Sequence, residues 1–119
     1  MSKKILICDD DEGILDMLEF VLEEEGFNII PEKNSLNVYN VIKEQKPDLL
    51  LLDLWMPVLS GDQVLKALRD NPFTAKLPVI VISASTEGSH IAKASGATDY
   101  ISKPFDMDQL VSKIQTLIA

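Results

Sequence analysis

The sequence predicts an α/β protein in which five helices cover both faces of a doubly wound, five-stranded parallel sheet. Four consecutive leucines at positions 49–52 are too apolar for a half-exposed strand, and Pro57 and Gly61 leave little room for a helix there. Short apolar runs also alternate five times with stretches of helical periodicity. A chain of 119 residues that is 46% hydrophobic can bury one core, so we expect a single domain over residues 1–119.

The apolar runs predict strands at residues 4–8, 27–30, 49–52, 78–82 and around 100–101. Helices are predicted after each of them, at residues 14–25, from the capping pair 34–35 to Pro47, at 61–70, at 86–95 and from 106 to 117. The first helix is predicted to end at Gly26 and to point four side chains inward: Ile14, Leu18, Val21 and Leu22. The fourth helix, which contains Gly88 and few apolar residues, is expected to pack weakly and to be mobile.

Charge and composition exclude several classes of protein. The formal net charge is −8, and residues 1–25 hold nine acids against Lys3 and Lys4, a net of −7. No basic face is available for phosphates, so we expect no direct binding to nucleic acid. The single Cys8 cannot form an internal disulfide, and neither a signal peptide nor a membrane span is recognisable. We therefore expect a cytoplasmic protein that does not associate with membranes.

Polar side chains occur where four of the predicted strands end. Because parallel strands share one carboxyl edge, these residues are expected to meet there: Asp9, Asp10, Asp53, Ser83 and Lys103. Each has a plainer interpretation as a helix cap, a turn residue or a solvated surface group. Their coincidence at four strand ends favours a functional site.

The residue types at this edge indicate phosphoryl chemistry. Carboxylates brought together repel, and a hard divalent cation such as Mg²⁺ relieves that repulsion while leaving positions for phosphate oxygens. A lysine and a hydroxyl would complete a cage around a transferring phosphoryl group. A carboxylate in such a cage can act as the nucleophile, and Asp53 is the candidate because its strand is the most buried.

The ordered set of motifs resembles the receiver domain of two-component response regulators over the whole chain. The motifs that carry the resemblance are residues 5–10, residues 53–57 with Gly61, residues 81–84, residues 96–97 and residues 100–105. The resemblance implies a flavodoxin-like fold with strand order 2-1-3-4-5. It also implies that the Lys103–Pro104 peptide bond is cis.

The resemblance further implies a role for each site residue. Asp53 would be the phosphoacceptor, and Asp10 and Asp53 would bind Mg²⁺ together with the backbone carbonyl of Trp55, while Asp9 would act through water. Lys103 would pair with the phosphoryl group. Ser83 and Tyr100 resemble the family's switch pair, in which the hydroxyl moves toward the phosphate and the aromatic ring turns inward.

The implied partners are a sensor histidine kinase or phosphotransfer protein and a downstream protein target. The chain stops one helix after Lys103, so we expect a stand-alone regulator unless the sequence is part of a longer protein. A monomer or a weak, phosphorylation-dependent dimer is expected. The chain would be a phosphoacceptor that assists its own phosphotransfer and autodephosphorylation rather than an enzyme. The spacing from Ser83 to Lys103 is shorter than usual for the family, which predicts a shortened fourth helix. The large Trp55 occupies a position that affects the phosphoryl lifetime in this family.

Two alternatives remain open from the sequence. A phosphatase of the haloacid dehalogenase type would use the Asp9–Asp11 pair, but it would leave Asp53 unexplained. A pseudo-receiver would keep the fold and act as an unphosphorylated adaptor, although the retention of all the candidate site residues argues against it.

The first helix also suggests a docking site. On a helical wheel, Phe20 lies opposite the inward-facing residues, beside Asp16, Glu23 and Glu24. Receiver domains commonly contact the kinase through this helix, so Phe20 is predicted to be a docking anchor. A lone exposed aromatic residue without a role is the plainer alternative.

Overall fold

A computed structural model of the chain describes residues 2–84 and 87–118. Its sheet is parallel throughout, and the strand order is β2-β1-β3-β4-β5, which confirms the predicted architecture. The strands are β1 (Lys4–Cys8), β2 (Asn28–Glu32), β3 (Leu49–Asp53), β4 (Val79–Ser83) and β5 (Asp99–Ser102). The helices are α1 (Glu12–Glu24), α2 (Val38–Gln45), α3 (Gly61–Asp70), α4 (Gly88–Ser95) and α5 (Met107–Ile118).

The four leucines of β3 explain why helices cover both faces of the sheet. Successive side chains of a strand point to opposite faces, so Leu50 and Leu52 pack with α2, α3 and α4, whereas Leu49 and Leu51 pack with α1 and α5. All four side chains are fully buried. The unbroken apolar run is therefore the signature of a strand with a core on each side.

β2 extends two residues beyond the predicted end at position 30 and includes Pro31. Proline is tolerated because β2 is an edge strand whose only neighbour in the described sheet is β1. The position that lacks an N–H can therefore lie on the side of β2 that has no partner strand. Glu32, the last residue of β2, accepts a hydrogen bond from the Asp9 amide at 3.2 Å. The extension therefore carries β2 to the edge where the candidate site lies.

The buried stripe of α1 differs from the prediction. Leu15, Leu18 and Leu22 are its buried residues, whereas Ile14 and Val21 are only partly buried at its margins. Ile14 still packs against the same core cluster, so the prediction differs chiefly in having omitted Leu15. Gly26 follows the helix with φ 94°, a conformation that glycine adopts at low cost, as predicted.

The remaining helices begin close to their predicted positions. A single 3₁₀ turn at Ser35–Asn37 precedes α2, and the Asn34 side chain accepts a hydrogen bond from the Leu36 amide. α4 begins at Gly88, and the predicted start at Thr86 lies outside the described residues. Within the part of the chain that the structure describes, no helix combines the length and the apolar composition needed to cross a membrane.

Candidate functional site

The carboxyl edge of the sheet brings together the polar residues that the sequence singled out. Asp9 follows β1, Asp53 is the last residue of β3, Ser83 is the last residue of β4, and Lys103 follows β5. Asp9 and Asp53 are only 2% and 6% exposed. Two carboxylates withdrawn this far from water need positive charge nearby.

Carboxylate oxygens of Asp9, Asp10 and Asp53 all lie within 4.8 Å of one another, and Asp10 is the exposed member of the three. One oxygen of Asp9 also accepts a hydrogen bond from the Asp11 amide at 2.9 Å, which orients that carboxylate at the start of α1. Three hard oxygen donors, one of them from an exposed residue, match the preference of Mg²⁺ for a few carboxylates plus water. The donor set therefore fits this ion.

Lys103 supplies a positive charge within the pocket. Its Nζ lies 3.2 Å from Asp9 Oδ2 and 3.4 Å from Asp53 Oδ1, so it bridges two carboxylates from different strands. Burial alone would lower the pKa of the Lys103 ammonium, but Asp53 and Asp9 outweigh that effect and raise it. The ammonium is thus held in its charged form next to Asp53. The peptide bond that follows, Lys103–Pro104, is cis, as predicted.

The side chain of Asp53 is a weaker acid than that of an ordinary aspartate. Burial, followed by the negative charge of Asp9, raises the pKa of Asp53 to about 6, and Lys103 opposes this rise only in part. Ionised Asp53 is therefore poorly stabilised by the protein alone. A cation beside this carboxylate would offset its repulsion with Asp9.

The loop between β3 and α3 folds back onto the end of β3, where the Gly61 amide donates a hydrogen bond to the Leu54 carbonyl oxygen at 2.8 Å. Gly61 approaches the backbone so closely that a Cβ at this position would overlap the Asp53 carbonyl group. This close approach gives a physical reason for the glycine eight positions after Asp53. Trp55 is 53% exposed, and its predicted role as a carbonyl ligand stays a prediction.

A buried sulfur contact was not predicted from the sequence. Cys8 Sγ lies 3.6 Å from Met56 Sδ, and this contact joins the residue before Asp9 to the residue after Trp55. Burial is the main cause that raises the pKa of the Cys8 thiol to about 12, and nearby carboxylates add to it. The thiol is consequently protonated at neutral pH and packs as an apolar group, as the sequence suggested.

Ser83 and Tyr100 lie close together, and their predicted role as a switch pair stays a prediction. Ser83 is fully buried, and the Tyr100 hydroxyl donates to the Ser83 carbonyl oxygen at 3.3 Å. Gly88 lies against both residues, because a Cβ there would be 2.9 Å from Ser83 Oγ and from the Tyr100 hydroxyl oxygen. From the sequence Gly88 is recognisable only as a helix-weakening residue, since its proximity to this pair depends on tertiary packing.

This geometry defines a class of protein: a doubly wound domain with a buried carboxylate, a cluster of three acids that could hold a cation, and a lysine at one edge of its sheet. The sequence matches the response regulator receiver domain over residues 5–115. The chain therefore belongs to the receiver-domain family of two-component response regulators, whose members act in phosphorelay signalling as phosphoacceptors rather than conventional enzymes.

The relatives and solved structures agree with this assignment. The chain is 39% identical to response regulator GtcR of Aneurinibacillus migulanus over 117 residues, 97% of this chain and 47% of that protein. It is 35% identical to the phosphate regulon transcriptional regulatory protein PhoB of Escherichia coli (strain K12), over 99% of this chain and 52% of that protein. The Vibrio cholerae chemotaxis protein CheY4 superposes with a TM-score of 0.90 at 25% identity, covering 99% of this chain and 100% of that one. The chain thus spans about half the length of these two curated relatives.

Proposed function

We propose that Asp53 accepts a phosphoryl group from a phosphohistidine of a sensor kinase or phosphotransfer protein. The observation that carries this proposal is the buried Asp53 carboxylate, which has Lys103 on one side and the acid cluster on the other. One Asp53 oxygen attacks phosphorus, the bond from phosphorus to the histidine nitrogen breaks, and the nitrogen keeps the electron pair. The products are an aspartyl phosphate and a histidine.

The residues around Asp53 support this transfer in different ways. Asp10, Asp53 and the Trp55 carbonyl are the proposed direct ligands of Mg²⁺, and Asp9 contributes through water. The ion, when bound, offsets the carboxylate repulsion and the negative charge of the phosphoryl oxygens. Lys103 is the proposed partner of a phosphoryl oxygen, because its ammonium lies next to the Asp53 carboxylate.

The proposed signal is a movement of Ser83 and Tyr100. The Ser83 hydroxyl turns toward the phosphoryl group, and the Tyr100 ring occupies the space made available, which alters the surface of α4 and β5. Hydrolysis of the aspartyl phosphate by water, assisted by the same pocket, returns the chain to its resting form. Phosphorylation would thus change the surface of α4 and β5 reversibly.

We further propose that residues 1–119 act as one receiver domain, with a histidine kinase or phosphotransfer protein upstream and a protein target downstream. The superposition on the CheY4 chain along its full length supports treating residues 1–119 as one such domain. The names of PhoB and GtcR describe longer proteins, and their functions are not transferred to this chain.

The test is incubation with acetyl phosphate and Mg²⁺, followed by intact mass and peptide mapping. One phosphoryl group is expected on Asp53, and Asp53→Asn should abolish its addition. An unmodified wild-type protein would favour the pseudo-receiver, and a phosphoryl group on Asp9 would favour the phosphatase alternative. Lys103→Ala should lower phosphotransfer and leave Mg²⁺ affinity largely unchanged, because Lys103 is assigned to the phosphoryl group.

A further inference from the structure

A pocket of about 390 Å³ opens at the edge of the sheet opposite the candidate site. Its lining residues come from the end of α2 and from the loop between α3 and β4. Pro47 precedes β3 by one residue and Leu77 precedes β4 by one residue, so the pocket lies where these strands begin. Asp9 and Asp53 lie at the other ends of their strands. A molecule in this pocket therefore leaves the candidate site open.

The walls of this pocket are mostly apolar. The apolar side chains that line it are those of Ile42, Pro47, Pro72, Phe73 and Leu77. Phe73 is 59% exposed, which leaves much of an aromatic ring uncovered by the chain. An apolar cavity of about 150 Å³ holds a benzene molecule, so this pocket has room for two bulky apolar side chains.

Two cations complete the lining. Lys46 and Lys76 are both exposed, and among the residues that the structure describes no acid lines the pocket with them. The ion pairs found within residues 2–84 and 87–118 involve neither lysine. The carbonyl end of α2 contributes roughly half a negative charge here, which two ammonium groups more than offset. The pocket is therefore locally positive on a chain whose net charge is −8.

Hydrogen bonds hold the loop wall of the pocket in place. The Phe73 amide donates to Asn71 Oδ1 at 2.9 Å, and Thr74 Oγ1 donates to the Leu68 carbonyl oxygen at 2.6 Å. Asn71 Nδ2 donates to the Tyr39 hydroxyl oxygen at 3.0 Å, which ties the loop to α2. The two walls are thus fixed relative to each other before anything binds. A preformed pocket loses little conformational entropy on binding.

We propose that this pocket binds an extended acidic segment of a partner protein. A bulky apolar side chain of the segment packs against Phe73, and its neighbouring carboxylates lie beside Lys46 and Lys76. Segments that combine acidic and apolar residues are a recurrent kind of unfolded recognition sequence, and basic side chains beside an apolar surface suit them.

The charge of the chain favours a peptide over a nucleic acid as the occupant. Lysines beside an exposed aromatic ring can also hold single-stranded nucleic acid, but that mode uses a basic groove that follows several phosphates. This pocket offers two lysines, and the chain around it is acidic, so a long polyanion would be repelled. A few carboxylates next to one apolar side chain need no more than these two cations.

This contact is separate from the phosphotransfer proposed for Asp53. The pocket contains none of the candidate site residues, so the partner can stay bound before and after phosphorylation. Such a contact would keep a partner next to the chain while the carboxyl edge of the sheet changes.

The test is an NMR titration of the isotope-labelled, unphosphorylated protein without Mg²⁺, so that its outcome does not depend on chemistry at Asp53. The probe is a blocked synthetic peptide in which a leucine and a phenylalanine lie between two pairs of glutamates. We expect a Kd of about 0.1–1 mM, with the largest amide shifts at Lys46, Phe73 and Lys76. The affinity should fall as salt rises.

Variants of the protein separate the two parts of the pocket. Lys46→Glu combined with Lys76→Glu should weaken binding at least about tenfold, and Phe73→Ala at least about fivefold. The matched controls are Lys66→Glu combined with Lys93→Glu, exposed reversals on α3 and α4, and Phe20→Ala, an exposed aromatic residue on α1. Both controls should bind the peptide as the wild type does.

Variants of the probe test its chemistry. A peptide with lysines in place of the glutamates, and one with alanines in place of the leucine and phenylalanine, should each bind at least about tenfold more weakly. The proposal is overturned if the acidic peptide does not bind at about 5 mM, or if the lysine peptide binds equally well. Binding that the pocket variants leave unchanged would also overturn it, as would tighter binding of a single-stranded oligothymidylate at the same residues.

Discussion

The Nε of Arg69 donates a hydrogen bond to the carbonyl oxygen of Gly96 at 2.8 Å, which ties α3 to the C-terminal end of α4. Its Nη1 also donates to the carbonyl oxygens of Ala75 and Leu77 at 3.1 and 2.8 Å. Partial burial lowers the pKa of the Arg69 guanidinium, although the group remains charged at neutral pH. A planar cation thus joins three stretches of backbone.

Arg69→Lys is expected to lower the free energy of unfolding by about 2 kcal/mol, because a lysine cannot reach carbonyl groups in several directions and each lost charged hydrogen bond is costly. Urea denaturation should show the loss. Lys66→Arg, on an exposed position of the same helix, is the control and should change stability little. Equal stability of Arg69→Lys and the wild type would show that the carbonyl contacts contribute little.

Asp53→Asn is expected to stabilise the protein at pH 7 without Mg²⁺. The folded-state pKa of about 6 lies above the ordinary value of 3.8, so the folded protein binds more protons between these values. The free energy of unfolding therefore falls as pH rises from about 4 to about 6, by up to about 3 kcal/mol. Asp53→Asn should recover part of that loss and flatten the pH dependence. Asp16→Asn, on the exposed side of α1, should not. If the free energy of unfolding of the wild type instead rose between about pH 4 and about pH 6, the raised pKa of Asp53 would be contradicted.

Mg²⁺ affinity should increase with pH up to about pH 6 and then level off, because a protonated Asp53 cannot serve as a ligand. Trp55 provides the measurement as the chain's single tryptophan, and its fluorescence should change on titration. Calorimetry on the same samples gives an independent affinity. Binding by calorimetry with flat fluorescence would remove the Trp55 ring from the vicinity of the ion.

Gly88→Ala should interfere with the proposed switch, since the added Cβ would lie 2.9 Å from Ser83 Oγ and from the Tyr100 hydroxyl oxygen. The Tyr100 ring must then move, at a cost to stability of about 1–3 kcal/mol. Tyr100 resonances in NMR spectra, recorded before and after phosphorylation, should differ from those of the wild type. Ser89→Ala tests whether any change at the start of α4 has the same effect. If both variants resemble the wild type, Gly88 does not constrain the pair.

Phe20→Ala should weaken phosphotransfer from the cognate kinase and leave phosphorylation by acetyl phosphate unchanged. The ring is 67% exposed and surrounded by acids, so its loss removes contact area without opening the core. The kinase reaction should also slow as salt rises. Equal losses with both donors would mean that Phe20 supports the fold.

The fold was predictable because its signals are local. The leucine run at 49–52 and the helical periodicities predict the sheet and the layer of helices on each of its faces without long-range information. The exposure of Phe20 also follows from its place on the helical wheel. The candidate site was predictable from residue types at strand ends, since parallel strands bring those ends together.

The contacts that were missed join residues far apart in sequence. Arg69 and Gly96 are 27 positions apart, and Cys8 and Met56 are 48 apart. The residue types of Arg69 and Met56 do not reveal these partners. An arginine on a helix usually extends into solvent, and a methionine side chain can pack in many different cores. The closeness of Gly88 to Ser83 likewise depends on how α4 packs on the sheet.

The burial of Cys8 has a practical consequence for experiments on this protein. Labelling reagents react with an accessible thiolate. The Cys8 thiol is fully buried, and with a pKa of about 12 it is protonated at neutral pH, so it should not react. A cysteine introduced at an exposed position, such as Asn40 on α2, should therefore take up a maleimide dye or spin label selectively while Cys8 stays unmodified. The label would then report on a chain that keeps its natural sulfur contact with Met56.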